Sequence, residues 1–385
     1  MIRKLVLRRD LGRNIRQGHP WLYRDAVESP PDLTTGSVVD VVGKDGKFLA
    51  RGLYDQSSPL AVRLYAQERR PLDEAFFLER LRFAHALRSR FLGDDTDAYR
   101  WCNGEGDAVP GVVIDRYGAV AVLRLDGEAI AALRPQIVAA VATLAGELGL
   151  RSLLERSRKA AHHHLWGSAV DGPVAVREHG VGFLVDVLHG QKTGLFLDQR
   201  ESRALVRQFA RGARVANLFS YTGGFSLYAK HGGATRVDSV DVAAPAMEAA
   251  RANFSHNGWS PDEHGFFAAD VFAWLAERKG SRYDVMIVDP PSFAPSEKSK
   301  DAALAAYRDV FGRALQLVEP GGFFCPSSCS SHITHDDFLD AVRGAAQQAR
   351  TRLQLVELRG QPADHPTPLP FDEGRYLKFA VLRTV

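Results

Sequence analysis

From about residue 186 onward, short apolar runs alternate with segments of helical period, and several of the runs end in an acid. Strands are expected over 214–219, 236–241, 264–269, 284–289 and 321–327, and helices over 223–231, 244–256, 271–279 and 301–318. A strand followed by a crossover helix returns parallel to itself, so this alternation predicts a doubly wound parallel α/β sheet. Sheets of that kind bind ligands at the carboxyl ends of their strands. The residues that follow each strand are therefore the first place to look for chemistry.

The first of these strands runs into "NLFSYTGGFSLYA" at 217–229. Gly223 and Gly224 permit a tight turn into a helix, where the backbone can approach a ligand closely. The helix N-terminus there carries partial positive charge. A pyrophosphate-binding fingerprint of the G-x-G-x-x-G kind is missing, which argues against a nicotinamide enzyme. The loop suits a ligand without phosphates, such as S-adenosylmethionine. Asp241 ends the second strand, roughly 20 residues after the glycine turn, where an acid can accept both ribose hydroxyls. Asp270 follows the third strand and is placed for an adenine amino group. The fourth ends in "DPPSF" at 289–293. Its prolines make a rigid loop lacking N–H donors, so Asp289 and the exposed carbonyls can bond an amino group on a flat ring. Each acid taken singly has a plainer reading as a helix cap. Acids at three successive strand ends are harder to explain that way.

The fifth strand leads to "PSSCSSH" at 326–332. A free cysteine is more often a small buried hydrophobe than a nucleophile. Cys325, inside the apolar run, and Cys102, in "YRWCNGEGD", are read in that way. Cys329 lies past the run among small hydroxyl residues, at the same sheet edge as Asp289, and is the candidate nucleophile.

Upstream, residues 1–68 hold β-rich segments, with a hairpin signal in "GKDG" at 43–46 and an aromatic, proline-containing loop in "GHPWLY" at 18–23. A small β-barrel-like module is expected. A helix is expected over 72–92, a turn and a hairpin over 104–125, a helix over about 129–148 and a strand at "SLLER", together a small central α/β unit. The expected domains are 1–70, 71–185 and 186–385. The histidine run in "AHHHLW" at 161–166 is read as an exposed loop in preference to a metal site.

Net charge is only +3 over 385 residues, but Arg3, Lys4, Arg8, Arg9, Arg13, Arg16 and Arg24 face Asp10 alone in the first 24 positions. Clustered arginine is either a phosphate-binding footprint or a solvated basic face. No signal-like apolar region opens the chain, and no apolar run of about 20 residues stands out as a membrane span. Three cysteines make no disulfide framework, so a reducing cytoplasm is expected.

Six segments together resemble the bacterial large-subunit rRNA cytosine-C5 methyltransferases: "GQKTGLFLDQRESR" (190–203), "NLFSYTGGFS" (217–226), "SVD" (239–241), "DPPSF" (289–293), "SSCSSH" (327–332) and "GQPADHP…EGRYLK" (360–378). The resemblance runs nearly the full length, with "GHPWLY" fitting the start of a PUA domain and "NGEGDAVPGVVIDRYG" (103–118) a central domain. It implies a Rossmann-like class I methyltransferase domain behind a PUA-like barrel and a small α/β domain. It also implies S-adenosylmethionine as cofactor, rRNA as partner, and a homodimer as the family's assembly. By that resemblance Gln199 and Arg200 pack over the cofactor, and Phe219, Ser220, Tyr221, Gly223 and Gly224 form its loop. Asp241 holds the ribose, Asp270 the adenine, Asp289 the target base, and Cys329 attacks. Ser292 stands where many RNA cytosine-C5 enzymes carry a second cysteine, which leaves the base that removes the C5 proton unassigned.

Cytosine C5 is too weak a nucleophile to take a methyl group unaided, and a thiolate added at C6 makes it enamine-like. The nearest alternative, methylation of guanine N7, needs no thiol. Methylation of a protein or small molecule would leave an RNA module without a purpose. An RNA-binding protein with a degenerate enzyme domain would not need the acids at 241, 270 and 289.

Overall fold

In a computed structural model the chain forms two compact units, the first from Met1–Val176, Val185–Leu197 and Ala363–Gly374, the second from Arg177–Leu184, Asp198–Pro362 and Arg375–Val385. The structure describes residues 2–28, 32–157, 162–294 and 296–385.

The first unit opens with β1 (Arg3–Val6), α1 (Gly12–Arg16), β2 (Trp21–Tyr23), β3 (Val38–Val42), β4 (Phe48–Tyr54) and β5 (Leu60–Ala66). Their sheet has the order β1-β3-β4-β5-β2, with β1 parallel to β3 and the other pairs antiparallel. Leu5, Ile15, Val39, Val41, Ala50 and Val62 fill its core. "GKDG" makes the expected turn between β3 and β4, closed by the Gly46 N–H on Gly43 O, with φ of 75° at Gly46. The loop expected over 18–23 is only half a loop. Trp21–Tyr23 pairs with β5 as an edge strand, and Pro20 sits just before it, where a missing donor is tolerated.

The same unit continues with α2 (Glu74–Arg88), β6 (Ala98–Asn103), β7 (Val112–Tyr117), β8 (Val120–Leu125), α3 (Arg134–Leu148), β9 (Ser152–Glu155) and β10 (His163–Gly167). Asp73 caps α2 by accepting from the Phe76 N–H. The sheet order is β10-β9-β8-β7-β6, and Phe76, Phe77, Leu81, Trp101, Ile137 and Leu144 form a shared core with the two helices. Contrary to the sequence reading, Ala129–Leu148 is a helical stretch of 20 residues long and apolar enough to cross a membrane. Its Ile137, Ala140, Val141 and Leu144 are instead committed to that core. The histidine run also differs from expectation. His163 and His164 are exposed, as expected, but they belong to strand β10 paired with β9, and Ala161 lies outside the described residues.

In the second unit, β11 (Val174–Glu178) and β12 (Val181–Val185) form a two-stranded sheet whose residues 177–184 belong here. Then follow α4 (Arg200–Gln208), β13 (Arg214–Leu218), α5 (Gly224–His231), β14 (Arg236–Asp241), α6 (Ala244–His256), β15 (Gly265–Ala268), α7 (Val271–Glu277), β16 (Tyr283–Val288), α8 (Lys300–Leu315) and β17 (Val318–Ser328). The chain ends with α9 (His335–Gln348), β18 (Leu353–Arg359) and β19 (Lys378–Thr384). The seven-stranded order is β15-β14-β13-β16-β17-β19-β18. Strands β13 to β17 are parallel, as the alternation predicted. β19 runs antiparallel to both β17 and β18, so the sheet is mixed and two strands wider than the sequence reading had it. The strand order reverses between β13 and β16, which defines the switch point at their carboxyl ends. Apolar β-strand residues such as Leu218, Val240, Met286, Val288 and Phe324 pack with Trp274, Tyr307, Phe311 and Phe338 from the helices. This core holds the strand ends in place.

Candidate cofactor and catalytic site

The turn after β13 is bent sharply. Phe219, Tyr221 and Gly223 all have positive φ, at 59°, 47° and 82°. Glycine adopts that conformation freely, but an aromatic residue there costs on the order of 1–3 kcal/mol and persists only where its surroundings enforce it. The enforcement is visible. The Ser220 N–H donates to Val240 O at 3.0 Å, the Gly223 N–H donates to Ser220 O at 2.9 Å, and the Tyr221 N–H donates to Asp241 Oδ2 at 2.9 Å. A Cβ on Gly223 would lie 3.1 Å from Ala250 Cβ of α6, and one on Gly224 would lie 3.2 Å from Arg203 Cδ. Both expected glycines therefore serve close packing, and only Gly223 also serves a positive φ.

Asp241 is half-buried, and its second oxygen accepts from the Ala243 N–H at 3.0 Å. The acid thus braces the glycine turn. Val242, next in the chain, is 76% exposed, an apolar side chain left open at the edge. Asp270 is exposed and caps α7, accepting from the Ala273 N–H at 3.0 Å, so the plain helix-cap reading holds for that oxygen.

Asp289 follows β16, its N–H directed at Leu218 O of β13. Gln199, 2% exposed, donates through Nε2 to Asp289 Oδ1 at 3.0 Å and to Ser327 Oγ at 2.9 Å. Arg200, the first residue of α4, follows Gln199 directly. It is fully buried and donates to Glu201 Oε1 at 3.1 Å, while His179 Nε2 lies 3.5 Å from the same oxygen. Those partners, His179 first, hold the Glu201 carboxyl down to about 2.

Register fixes Cys329 relative to Asp289. Val288 of β16 pairs with Pro326 of β17, so Asp289 lies level with Ser327, and Cys329 stands two residues further on. Cys329 is partly exposed, whereas Cys102 and Cys325 are buried and burial drives both of their thiols strongly upward. Hydroxyls surround the Cys329 turn: Ser328 Oγ donates to Tyr307 OH at 3.0 Å, Tyr307 OH lies 3.1 Å from Ser330 Oγ, and Ser330 Oγ lies 2.8 Å from Ser292 Oγ. Sequence reasoning assigned no role to Ser327, Val242 or Lys378. Lys378 offered a signal, a lysine opening the apolar run "KFAVLRT".

The residues fit an S-adenosyl cofactor. Ser220 Oγ and Gln199 Oε1 are buried polar atoms with no hydrogen-bond partner among the described residues, and they accompany a braced acid and the exposed Val242. Two features therefore define a class of protein, a seven-stranded sheet with an antiparallel β19 and a phosphate-free glycine turn with acids at the strand ends. The sequence matches the S-adenosylmethionine-dependent methyltransferase family over residues 126–379 and a PUA-like domain over residues 5–67. The chain belongs to the S-adenosylmethionine-dependent methyltransferase family, and its cofactor is S-adenosylmethionine. It is 38% identical to a ribosomal RNA large subunit methyltransferase of Deinococcus radiodurans, over 96% of this chain and 94% of that one. It is 36% identical to ribosomal RNA large subunit methyltransferase I of Klebsiella pneumoniae, over 97% and 96%. A solved structure of a candidate methyltransferase complexed with SAH superposes with a TM-score of 0.89 at 26% identity, covering 100% of both chains.

Proposed function

We propose that this enzyme methylates C5 of a cytosine in RNA, with large-subunit rRNA as the substrate, and that Cys329 is its nucleophile. The observation that carries the reading is the register of β16 and β17. It brings a partly exposed thiol to the same edge as Asp289, while Gln199 fixes that acid. The rRNA assignment rests on what the relatives are named for. Exposed Arg3, Lys4, Arg8, Arg9, Arg13 and Arg16 on the PUA-like part offer a phosphate-binding face. We take residues 1–70 as the RNA-binding module, 71–185 as a central domain and 186–385 as the methyltransferase domain.

In this reading the Cys329 thiolate forms a bond to C6, and the C5–C6 electron pair becomes available at C5. The bound cofactor supplies an electrophilic methyl group. Asp289, carrying a proton, donates it as a hydrogen bond to N3 and so stabilises the negative charge that develops there, beside the exocyclic amino group. After a base takes the C5 proton, the S–C6 bond breaks and the thiolate is regenerated. Asp241 would hold the ribose, Asp270 and Val242 would meet the adenine, and Ser220, Gln199 and the 219–224 turn would line the rest. The target base must leave its stack to reach this edge.

The test is incubation of wild type and Cys329→Ala with methyl-labelled cofactor and unmodified rRNA, with the nucleoside identified by mass spectrometry. We expect 5-methylcytidine from wild type and none from the variant, which still binds cofactor. Retained activity, or 7-methylguanosine as product, overturns the reading.

A further inference from the structure

Lys378 is fully buried at the start of β19, directly before the apolar core residues Phe379 to Leu382. Burying an ammonium is costly unless its donors are all used. Here they are. Nζ donates to Ser330 O at 2.6 Å, to Ile333 O at 2.7 Å and to Tyr376 O at 2.8 Å. A lysine has three donors, so none is left for a substrate or for the thiol. The first two acceptors belong to the turn that follows Cys329, itself closed by the Ile333 N–H on Ser330 O at 3.2 Å. Lys378 is also the direct cross-strand partner of Ser328, the residue before Cys329.

A methionine would fill this space without the cost of a charge. The arrangement is explained if the charge itself is used. We propose that Lys378 is a positioning residue for Cys329: its ammonium ties down the 330–333 turn that presents the thiol and supplies the positive field that favours the thiolate. The inference rests on reading Cys329 as the nucleophile.

Besides Cys329, the charged or titratable groups that interact with Lys378 are Asp337 and His335, and Asp336 and Arg375 in turn act on His335. Asp337 is engaged by Lys300 Nζ at 2.8 Å and by both the N–H and hydroxyl of Thr334, so its charge is shared. Burial lowers the proton affinity of His335, and the Lys378 charge lowers it further. Burial likewise brings Lys378 down to about 8, partly offset by Cys329 and Asp337, which leaves it mostly charged at neutral pH.

The test is the pH profile of Cys329 alkylation by iodoacetamide, read by peptide mass spectrometry, in wild type, Lys378→Met and Lys378→Arg. The wild-type midpoint should fall below the ordinary thiol value of about 8.5. Lys378→Met should raise it by about one unit, slowing alkylation at neutral pH about tenfold, and Lys378→Arg should restore most of the rate. Buried Cys102 and Cys325 report on folding, because they stay unmodified while the core is intact. An unchanged midpoint in Lys378→Met with those two protected overturns the proposal. If Lys378→Met exposes them, the ζ-nitrogen of Lys378 is titrated by NMR in wild type and in Cys329→Ala. A lower Lys378 pKa without the thiol supports the coupling, and an equal value overturns it. Neither measurement needs RNA, so its failure is separable from a failure to form 5-methylcytidine.

Discussion

Gln199 Nε2 lies 3.0 Å from Asp289 Oδ1 and 2.9 Å from Ser327 Oγ, so one buried amide joins the carboxyl ends of β16 and β17. It holds Asp289 in a single orientation beside the strand that carries Cys329. Replacing Gln199 with Leu keeps the bulk and leaves both acceptors without this donor. Steady-state kinetics of methyl transfer should show kcat/KM falling about tenfold to a hundredfold, the size expected when a buried acceptor loses its hydrogen bond. Wild-type kinetics would remove Gln199 from the machinery.

Asp241 accepts from the N–H groups of Tyr221 and Ala243 and so braces a turn with two aromatic residues, Phe219 and Tyr221, in strained backbone. Asp241→Asn keeps the shape but loses the charge and one acceptor oxygen. Cofactor affinity measured by calorimetry should weaken by about tenfold to a hundredfold. If affinity is unchanged, the acid is a brace and does not contact the cofactor.

Arg203 and Glu178 form a buried two-point pair, Nε to Oε1 at 2.8 Å and Nη2 to Oε2 at 2.7 Å, and the Tyr228 OH donates to Glu178 O. Glu178→Ala would take the Glu178 carboxylate, its two-point partner, away from a fully buried guanidinium. Urea denaturation should show a loss of about 3–5 kcal/mol. A loss under about 1 kcal/mol would mean that water or another acceptor replaces the carboxylate.

His264 is 5% exposed, and its Nδ1 accepts from the Val237 N–H at 3.1 Å, which requires the neutral ring. Burial lowers its pKa from 6.5 to about 4. Between those values the unfolded chain binds more protons than the folded one. The stabilising effect is therefore full above pH 6.5 and is lost as pH falls through about 4. NMR titration of the ring should find it neutral at pH 5, and urea midpoints should drop between pH 6.5 and 4. A ring titrating near its free value would refute this.

The parallel strands β13 to β17 and the helices between them could be read from sequence because their signals are local. Each strand is a short apolar run, and each helix carries its own 3.6-residue period. Helix α8 at Lys300–Leu315 and strand β17 at Val318–Ser328 differ from the expected 301–318 and 321–327 only at their ends, where periodicity says least. The final two strands could not be read so directly. β18, at the sheet edge, is largely exposed and alternates weakly, while β19 opens on Lys378. That β19 inserts antiparallel between β17 and β18 is a choice of partner, which no local pattern carries.

The site divides along the same line. Asp241, Asp270, Asp289 and Cys329 stand out in the chain because each ends or closely follows a recognisable strand. Gln199 reaching Ser327, and Lys378 reaching Ser330 and Ile333, join residues far apart in sequence. Composition and spacing reveal which groups a strand end presents. Whether a distant donor arrives within hydrogen-bond distance depends on how the core packs the strands side by side, and that packing is a property of the whole fold.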